Sequence, residues 1–336
     1  MKKLAVLLPT YNAVAYLNES IDSILNQTFA DFDLYVYDDC STDNTEEIIS
    51  RYKDARLFYR KNIENSGIAK TLNNGLEELL PHYEYIARMD ADDWAYPERF
   101  EKQIDYLDKK QDIVMCGTQG YWLKDIDQNP ISGWGYPTSN EYIKCYLLFA
   151  ASFGHSSVIF RSEPFQKKNV RYNETIETCE DWELWVRTVK MGQVANLPHF
   201  LMKYRILESS NHRSSQKVTT HLEERSEIIS NYWADFKIVL SPRQVYEYYY
   251  GNKVISKAEF IKKIKILIEI LNHLYMSSAE NLVSAEKKNF SYMLARRLLD
   301  YWKRSKVCRI DPIIGFVILK EVSFMGKIKL LKSLIK

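Results

Sequence analysis

The sequence predicts an α/β fold in which a mostly parallel sheet is flanked by helices and followed by a helical C-terminal region. Three observations carry that expectation. Short β-rich runs alternate with helix-period segments from Met1 to about Gly117, polar residues collect where those runs end, and after about Gln216 the chain turns to long charged helix-like segments. At 336 residues the chain is long enough for one large domain plus an appendage.

Residues 4–8 form an apolar run closed by Pro9, too short for a signal peptide, and read as the first strand. Residues 14–27 place Leu17, Ile21, Ile24 and Leu25 at helical spacing. Residues 32–37 are a second strand, and 43–51 a helix whose acidic first turn suits the helix dipole. Residues 57–59, 68–80, 85–89, 97–108 and 113–116 continue the alternation. From Tyr121 to Phe153 regularity fades into Gly, Pro and aromatics, notably Trp134-Gly135-Tyr136-Pro137, which predicts a variable surface region shaping a pocket. Residues 157–160 are strand-like, and Cys179-Glu180-Asp181 opens a helix through Trp182, Trp185, Val186 and Val189. Residues 222–232 and 258–274 are further helices.

Bulk composition excludes some classes. A net charge of +2 gives no global pull toward nucleic acid. Five scattered cysteines without a Cys-x-x-Cys pair argue against a zinc site or a disulfide framework and fit reduced thiols in the cytoplasm. The apolar stretch 313–319 falls far short of the roughly 20 residues of a membrane span, so no integral membrane segment is expected. The last 36 residues carry nine basic side chains against two acidic ones, interleaved with Ile, Leu, Phe and Val. That pattern fits either peripheral contact with an anionic membrane or a packed helix with a solvated basic face.

The chemistry centres on Asp90-Ala91-Asp92-Asp93, which follows the run Tyr85-Ile86-Ala87. Clustered carboxylates at the carboxyl end of a strand suit a hard cation, Mn²⁺ or Mg²⁺, with coordination positions left for phosphates. The competing reading is a solvated acidic turn ahead of the next helix. A dinucleotide-dependent oxidoreductase is disfavoured, because no Gly-x-Gly-x-x-Gly follows the first strand.

Taken in order, Leu8-Pro9-Thr10-Tyr11-Asn12, Tyr37-Asp38-Asp39-Cys40-Ser41-Thr42-Asp43, Asn65-Ser66-Gly67-Ile68-Ala69-Lys70, Arg88-Met89-Asp90-Ala91-Asp92-Asp93, Gly154-His155-Ser156-Ser157, Glu180-Asp181-Trp182 and Tyr204-Arg205 resemble the family 2 glycosyltransferases. The resemblance implies the GT-A fold, Rossmann-like, over residues 1–216. Residues 1–117 would then be the nucleotide-sugar half, 118–216 the acceptor half and 217–336 the helical appendage. Tyr85-Ile86-Ala87-Arg88, Val170-Arg171-Tyr172-Asn173 and Met202-Lys203-Tyr204-Arg205 are similar to bacterial lipooligosaccharide β-1,3-N-acetylglucosaminyltransferases. This favours a UDP-sugar donor, UDP-N-acetylglucosamine first, with UDP-galactose and dTDP-rhamnose as alternatives. A non-catalytic nucleotide-sugar-binding protein is the reading from another class.

The resemblance also implies roles. Asp92 would be the surest metal ligand, Asp90 would bind metal or ribose, and Asp93 is a third ligand candidate. Pro9, Tyr11, Asn12 and one of Asp38 and Asp39 would hold the base and ribose, with Asn65, Gly67 and Lys70 completing the site beside Ala91. Arg88 would contact the nucleotide or brace the acidic loop, and Arg205 would meet the diphosphate. Transfer would be inverting, with Asp181 taking the proton from the acceptor hydroxyl and Glu180 orienting the acceptor or capping its helix. His155 would bind acceptor hydroxyls or serve as a structural histidine, and Trp134, Tyr136 and Trp182 would stack on the acceptor or lie in the core. The partners implied are a nucleotide-sugar donor and a glycan or lipid-linked glycan acceptor. Cys40 stands where the family more often has Gly, and Leu207 where many relatives carry His.

Overall fold

The computed structural model describes residues 2–124, 130–207, 215–235 and 239–250. Its parallel half is built from β1 (Leu4–Thr10), β2 (Phe32–Asp38), β3 (Leu57–Lys61) and β4 (Tyr85–Arg88), in the spatial order β3-β2-β1-β4. All seven residues of β1 are buried. A central parallel strand is covered on both faces, which explains its unbroken apolar run. On one face Leu4, Val6 and Leu8 belong to a core with Leu17, Ile21 and Ile24 of α1 (Leu17–Leu25) and Phe100, Ile104 and Leu107 of α4 (Arg99–Lys109). On the other, α3 (Ile68–Leu79) comes so close that a Cβ on Gly75 would stand 2.4 Å from Leu7 Cδ1.

Beyond β4 the sheet becomes mixed. β8 (Ile159–Arg161) runs antiparallel between β4 and β6 (Ile113–Lys124); β9 (Gln193–Ile206) runs parallel to β6; β5 (Trp94–Ala95) pairs antiparallel with β9, and β7 (Pro130–Trp134) with β6. The expected mostly parallel sheet flanked by helices is therefore present, with an antiparallel strand inserted where the two halves meet.

Two stretches differ from the sequence reading. The region 121–153 contains the end of β6, then β7 and α5 (Asn140–Leu147), so it is more regular than its composition implied. Its glycines serve packing: a Cβ on Gly120 would lie 2.2 Å from Trp134 Cη2, so the bare glycine makes room for the indole. β9 was not foreseen as a strand, because Pro198 and His199 interrupt its apolar pattern. Register irregularities against β6 at Thr118/Gln119 and Gln119/Gly120 absorb that interruption.

Two compact units emerge, Met1–Ile143 with Ala150–His221, and Lys144–Phe149 with Leu222–Lys336. The whole sheet lies in the first. In the second, α8 (Ser215–Ala234) contributes Trp233, which is fully buried and donates its indole N–H to the Leu148 carbonyl at 3.0 Å. No helix among the described residues is long and apolar enough to cross a membrane. The segment 258–274 and the basic tail lie outside the described residues.

Candidate active site

β4 ends at Arg88, and the chain turns through Asp90-Ala91-Asp92-Asp93 before β5. Carboxylate oxygens of Asp90, Asp92 and Asp93 lie within 4.8 Å of one another. Arg88, 2% exposed, pairs with Asp90 Oδ2. Ser156 completes the brace: its hydroxyl donates to Asp90 Oδ2 at 2.7 Å and accepts from the Asp90 N–H and Arg88 Nη1, each at 3.1 Å. That exhausts the one donor and two lone pairs of a hydroxyl. From α1, Ser20 donates to the Asp90 carbonyl at 2.9 Å.

The three acids respond differently to this setting. Burial opposes ionisation of Asp90, but the Arg88 charge, together with the hydrogen bonds from Arg88 and Ser156 and the neighbouring His155, holds the carboxyl below its usual range. Burial, then the Asp90 charge, pushes Asp92 up to about 7. Burial and the charges of Asp92 and Asp90 push Asp93 well above the carboxylate range. Asp93 Oδ1 accepts the Arg205 N–H at 2.9 Å, while Oδ2 is buried with no hydrogen-bond partner. An orphaned oxygen beside two further carboxylates is an all-oxygen donor set that fits Mn²⁺ or Mg²⁺, and such a cation would favour the ionised form of all three.

Across the site, α7 (Glu180–Thr188) carries Glu180 and Asp181 in its first turn. Burial, then the Asp181 charge, pushes Glu180 up to about 8; burial pushes Asp181 to about 6. The 3₁₀ turn His155–Ser157 connects the two carboxylate groups. Ser156 holds Asp90, and its neighbour His155 places Nδ1 3.9 Å from Glu180 Oε1. His155 is 8% exposed, and burial, then the Arg88 charge, holds its ring well below the usual histidine range and so neutral.

The loops after β1 and β2 interlock. The Asn12 N–H donates to Ser41 Oγ at 2.9 Å, and Asn12 Oδ1 accepts the Thr42 N–H at 2.9 Å. Cys40 has φ 62°, so the turn that more often uses glycine forms here with a cysteine in the left-handed region. Asp39 Oδ1 accepts from Asn62 Nδ2 and the Ser66 N–H, and Oδ2 from the Gly67 N–H, all at 2.8 Å. A carboxylate has about four acceptor positions, so Oδ2 keeps room for one more donor. Gly67, at φ 85°, starts α3 from a conformation a side chain would resist. Asn65 donates to the Asp39 carbonyl at 3.2 Å.

Several expected contacts need correction or narrowing. Asp38 is fully buried, with Oδ1 accepting the Ser41 N–H at 2.8 Å and Oδ2 the Tyr59 hydroxyl at 2.6 Å, whereas Asp39 keeps 5% exposure. Trp182 is 3% exposed and belongs to the core. His155 is enclosed rather than open to an acceptor. Arg88 braces the acidic loop. Arg205, 2% exposed, donates to Glu19 Oε2 at 2.7 Å and to the Asp92 carbonyl at 3.0 Å, which makes it a strut of the knot. Lys70 is exposed, 3.7 Å from Glu174. Pro9 and Ala91 are buried, while Tyr11 is 50% exposed.

Trp134 is half-buried beside Trp122 and Tyr204, with ring centroids at 5.0 and 6.2 Å. Tyr204 stands in the Tyr204-Arg205 motif, for which the sequence assigns a role to Arg205 alone. Burial, then the charges of Asp93, Asp90, Asp92 and Asp181, raises the Tyr204 hydroxyl well above the usual range. Ser156 and Tyr172 likewise stand in quoted motifs without an assigned role, since a hydroxyl in a sequence carries no signal of what it will face.

A sequence profile described as Glycosyl transferase family 2 matches residues 5–167. A Haemophilus influenzae protein described as an uncharacterized glycosyltransferase is 31% identical over 81% of this chain and 85% of its own. The amylovoran biosynthesis glycosyltransferase AmsE of Erwinia amylovora is 31% identical over 60% of this chain and 75% of its own. Among solved structures, S. aureus TarS 1-349 in complex with UDP-GlcNAc superposes with a TM-score of 0.58 at 18% identity, covering 98% of this chain and 91% of that one. That likeness is one of fold.

Proposed function

Because the chain belongs to glycosyl transferase family 2, we propose that it transfers a sugar, with inversion, from a UDP-sugar to a hydroxyl of a surface-glycan acceptor. UDP-N-acetylglucosamine is the first donor to test, in keeping with the ligand named for the TarS structure. A glycan acceptor, free or lipid-linked, is in keeping with the amylovoran role named for AmsE.

One observation carries the reading: consecutive residues His155 and Ser156 bring a cation-type carboxylate cluster and a base-type carboxylate pair to one site. Asp90, Asp92 and Asp93 would hold Mn²⁺ or Mg²⁺, which when bound neutralises the departing diphosphate as a Lewis acid. Asp39, with its open acceptor position, receives the imide proton of a uracil, and Tyr11 flanks the base. Arg88 keeps Asp90 ionised and in place. Asp181, the acid of its pair that ionises first as pH rises, takes the proton from the acceptor hydroxyl. Trp134 and Tyr204, whose ring centroids lie 6.2 Å apart, offer an aromatic surface on which the apolar face of a sugar ring can pack.

The test is a screen of nucleotide sugars against glycan acceptors with and without Mn²⁺, followed by NMR of the anomeric configuration of the product. Transfer from a UDP-sugar with inversion, abolished by EDTA, is expected. Undiminished transfer in excess EDTA would remove the metal role, and retention of configuration would remove Asp181 as base. A chain that binds nucleotide sugars but transfers none would be the binding protein instead.

A further inference from the structure

Behind the base-side carboxylates lies a buried chain of polar groups to which the reaction as described gives no role. Asn73 of α3, 4% exposed, clamps the backbone of Tyr172: its Oδ1 accepts the Tyr172 N–H at 2.8 Å, and its Nδ2 donates to the Tyr172 carbonyl at 3.0 Å and to Glu174 Oε1 at 2.8 Å. Tyr172 is 3% exposed, and its hydroxyl lies 2.8 Å from His155 Nε2. The other ring nitrogen of His155 faces Glu180.

Donor accounting fixes the protons. A buried phenol hydrogen needs an acceptor, and among the described residues the hydroxyl's partner is His155 Nε2. If Nε2 carried the imidazole proton, the phenol oxygen would accept it and the phenol hydrogen would be left without an acceptor among the described residues. Tyr172 therefore donates to a bare Nε2, and the neutral ring keeps its proton on Nδ1, the nitrogen that lies 3.9 Å from Glu180 Oε1. At 3.9 Å the pair is not hydrogen-bonded, so the role requires the contact to close when substrate binds.

We propose that Tyr172 is a positioning residue, which fixes His155 as the Nδ1–H tautomer so that His155 orients the Glu180 carboxyl beside Asp181 toward the acceptor hydroxyl. The proposal rests on the transferase reading above. It gives Asn73 a purpose as well, because the α3 side chain that grips Tyr172 ties the nucleotide half of the site to the acceptor half. The ionisable groups around Glu180 and His155 are Asp181, Arg88, Asp90 and Tyr172, and Tyr172→Phe removes one hydroxyl without changing the charge of any of them.

The experiment uses the full chain labelled with ¹⁵N-histidine. In the unmodified protein, the His155 resonances, assigned by their loss in His155→Gln, are expected to show a protonated Nδ1 and a bare Nε2. In Tyr172→Phe the tautomer should shift or mix, kcat should fall about tenfold, and donor KM should stay within twofold, as befits loss of one hydrogen bond of about 1.4 kcal/mol. A protonated Nε2 in the unmodified protein overturns the proposal without any variant, as does Tyr172→Phe with unchanged tautomer and kcat. Absence of transfer by the unmodified protein overturns the role given to Glu180 through the transferase reading, and the tautomer distinguishes that failure from a failure of the Tyr172 to His155 contact.

Discussion

Asp92 is held among like charges, and this sets its behaviour with and without metal. Its carboxyl is pushed up to about 7 from an ordinary value near 4, so the folded state binds that proton more tightly than the unfolded chain does. The stability this gives is fully present below about pH 4 and is lost as pH rises through about 7. Asp92→Asn removes the loss: in EDTA at pH 8 the variant should melt above the unmodified protein, and the two should converge at pH 4. Mn²⁺ should raise the melting temperature of the unmodified protein far more than that of the variant, and transfer by the variant should fall about a hundredfold or more. Asp181 gives a kinetic counterpart. A base must be ionised, so transfer should rise with pH through about 6, measured as kcat against pH, and Asp181→Asn should lower the whole profile. The site acids were legible in the sequence because carboxylates in a knot or an adjacent pair are rare enough to stand out. Ser156, Tyr172 and Tyr204 were not, because their roles come from tertiary neighbours: Ser156 meets Asp90 across 66 positions of chain.

β6, β7 and β9 form the wall on which Trp134 sits, and Gly120 is its weak point. A methyl there would lie 2.2 Å from Trp134 Cη2 and 2.8 Å from the Met202 carbonyl oxygen, so neither a ring rotation nor a local backbone shift relieves it alone. Gly120→Ala should cost about 1–3 kcal/mol by overpacking, seen as a lower denaturant midpoint, and should raise acceptor KM more than donor KM. The parallel strands were legible as uninterrupted apolar runs, since burial on both faces leaves no polar alternation. β9 was not, because a proline and a histidine sit inside it and only the bulged pairing with β6 reconciles them with a strand. β7 was hidden for a related reason: its Pro, Ser and Gly look like loop composition until the Trp134 indole is seen lying over Gly120 of β6.

The chain as a whole joins a sheet-bearing unit to one that begins at Lys144–Phe149 and resumes at Leu222. If the basic tail docks on anionic lipid, the full chain should sediment with vesicles containing phosphatidylglycerol, be released by 0.5 M salt at about a 4 Å screening length, and lose binding when Lys327, Lys329, Lys332 and Lys336 become Gln. Equal sedimentation by that variant would leave the tail a packed helix with a solvated face. Within the catalytic unit, the joint at His155 and Ser156 has a geometric consequence. Adjacent Cα atoms are held about 3.8 Å apart by a planar peptide, so the residue that holds Asp90 and the residue that faces Glu180 share a ruler that cannot stretch. If the aromatic residues of β7 and β9 receive the acceptor as proposed, descendants of this sequence could change acceptor by recarving those two strands while the His155–Ser156 peptide kept its fixed length.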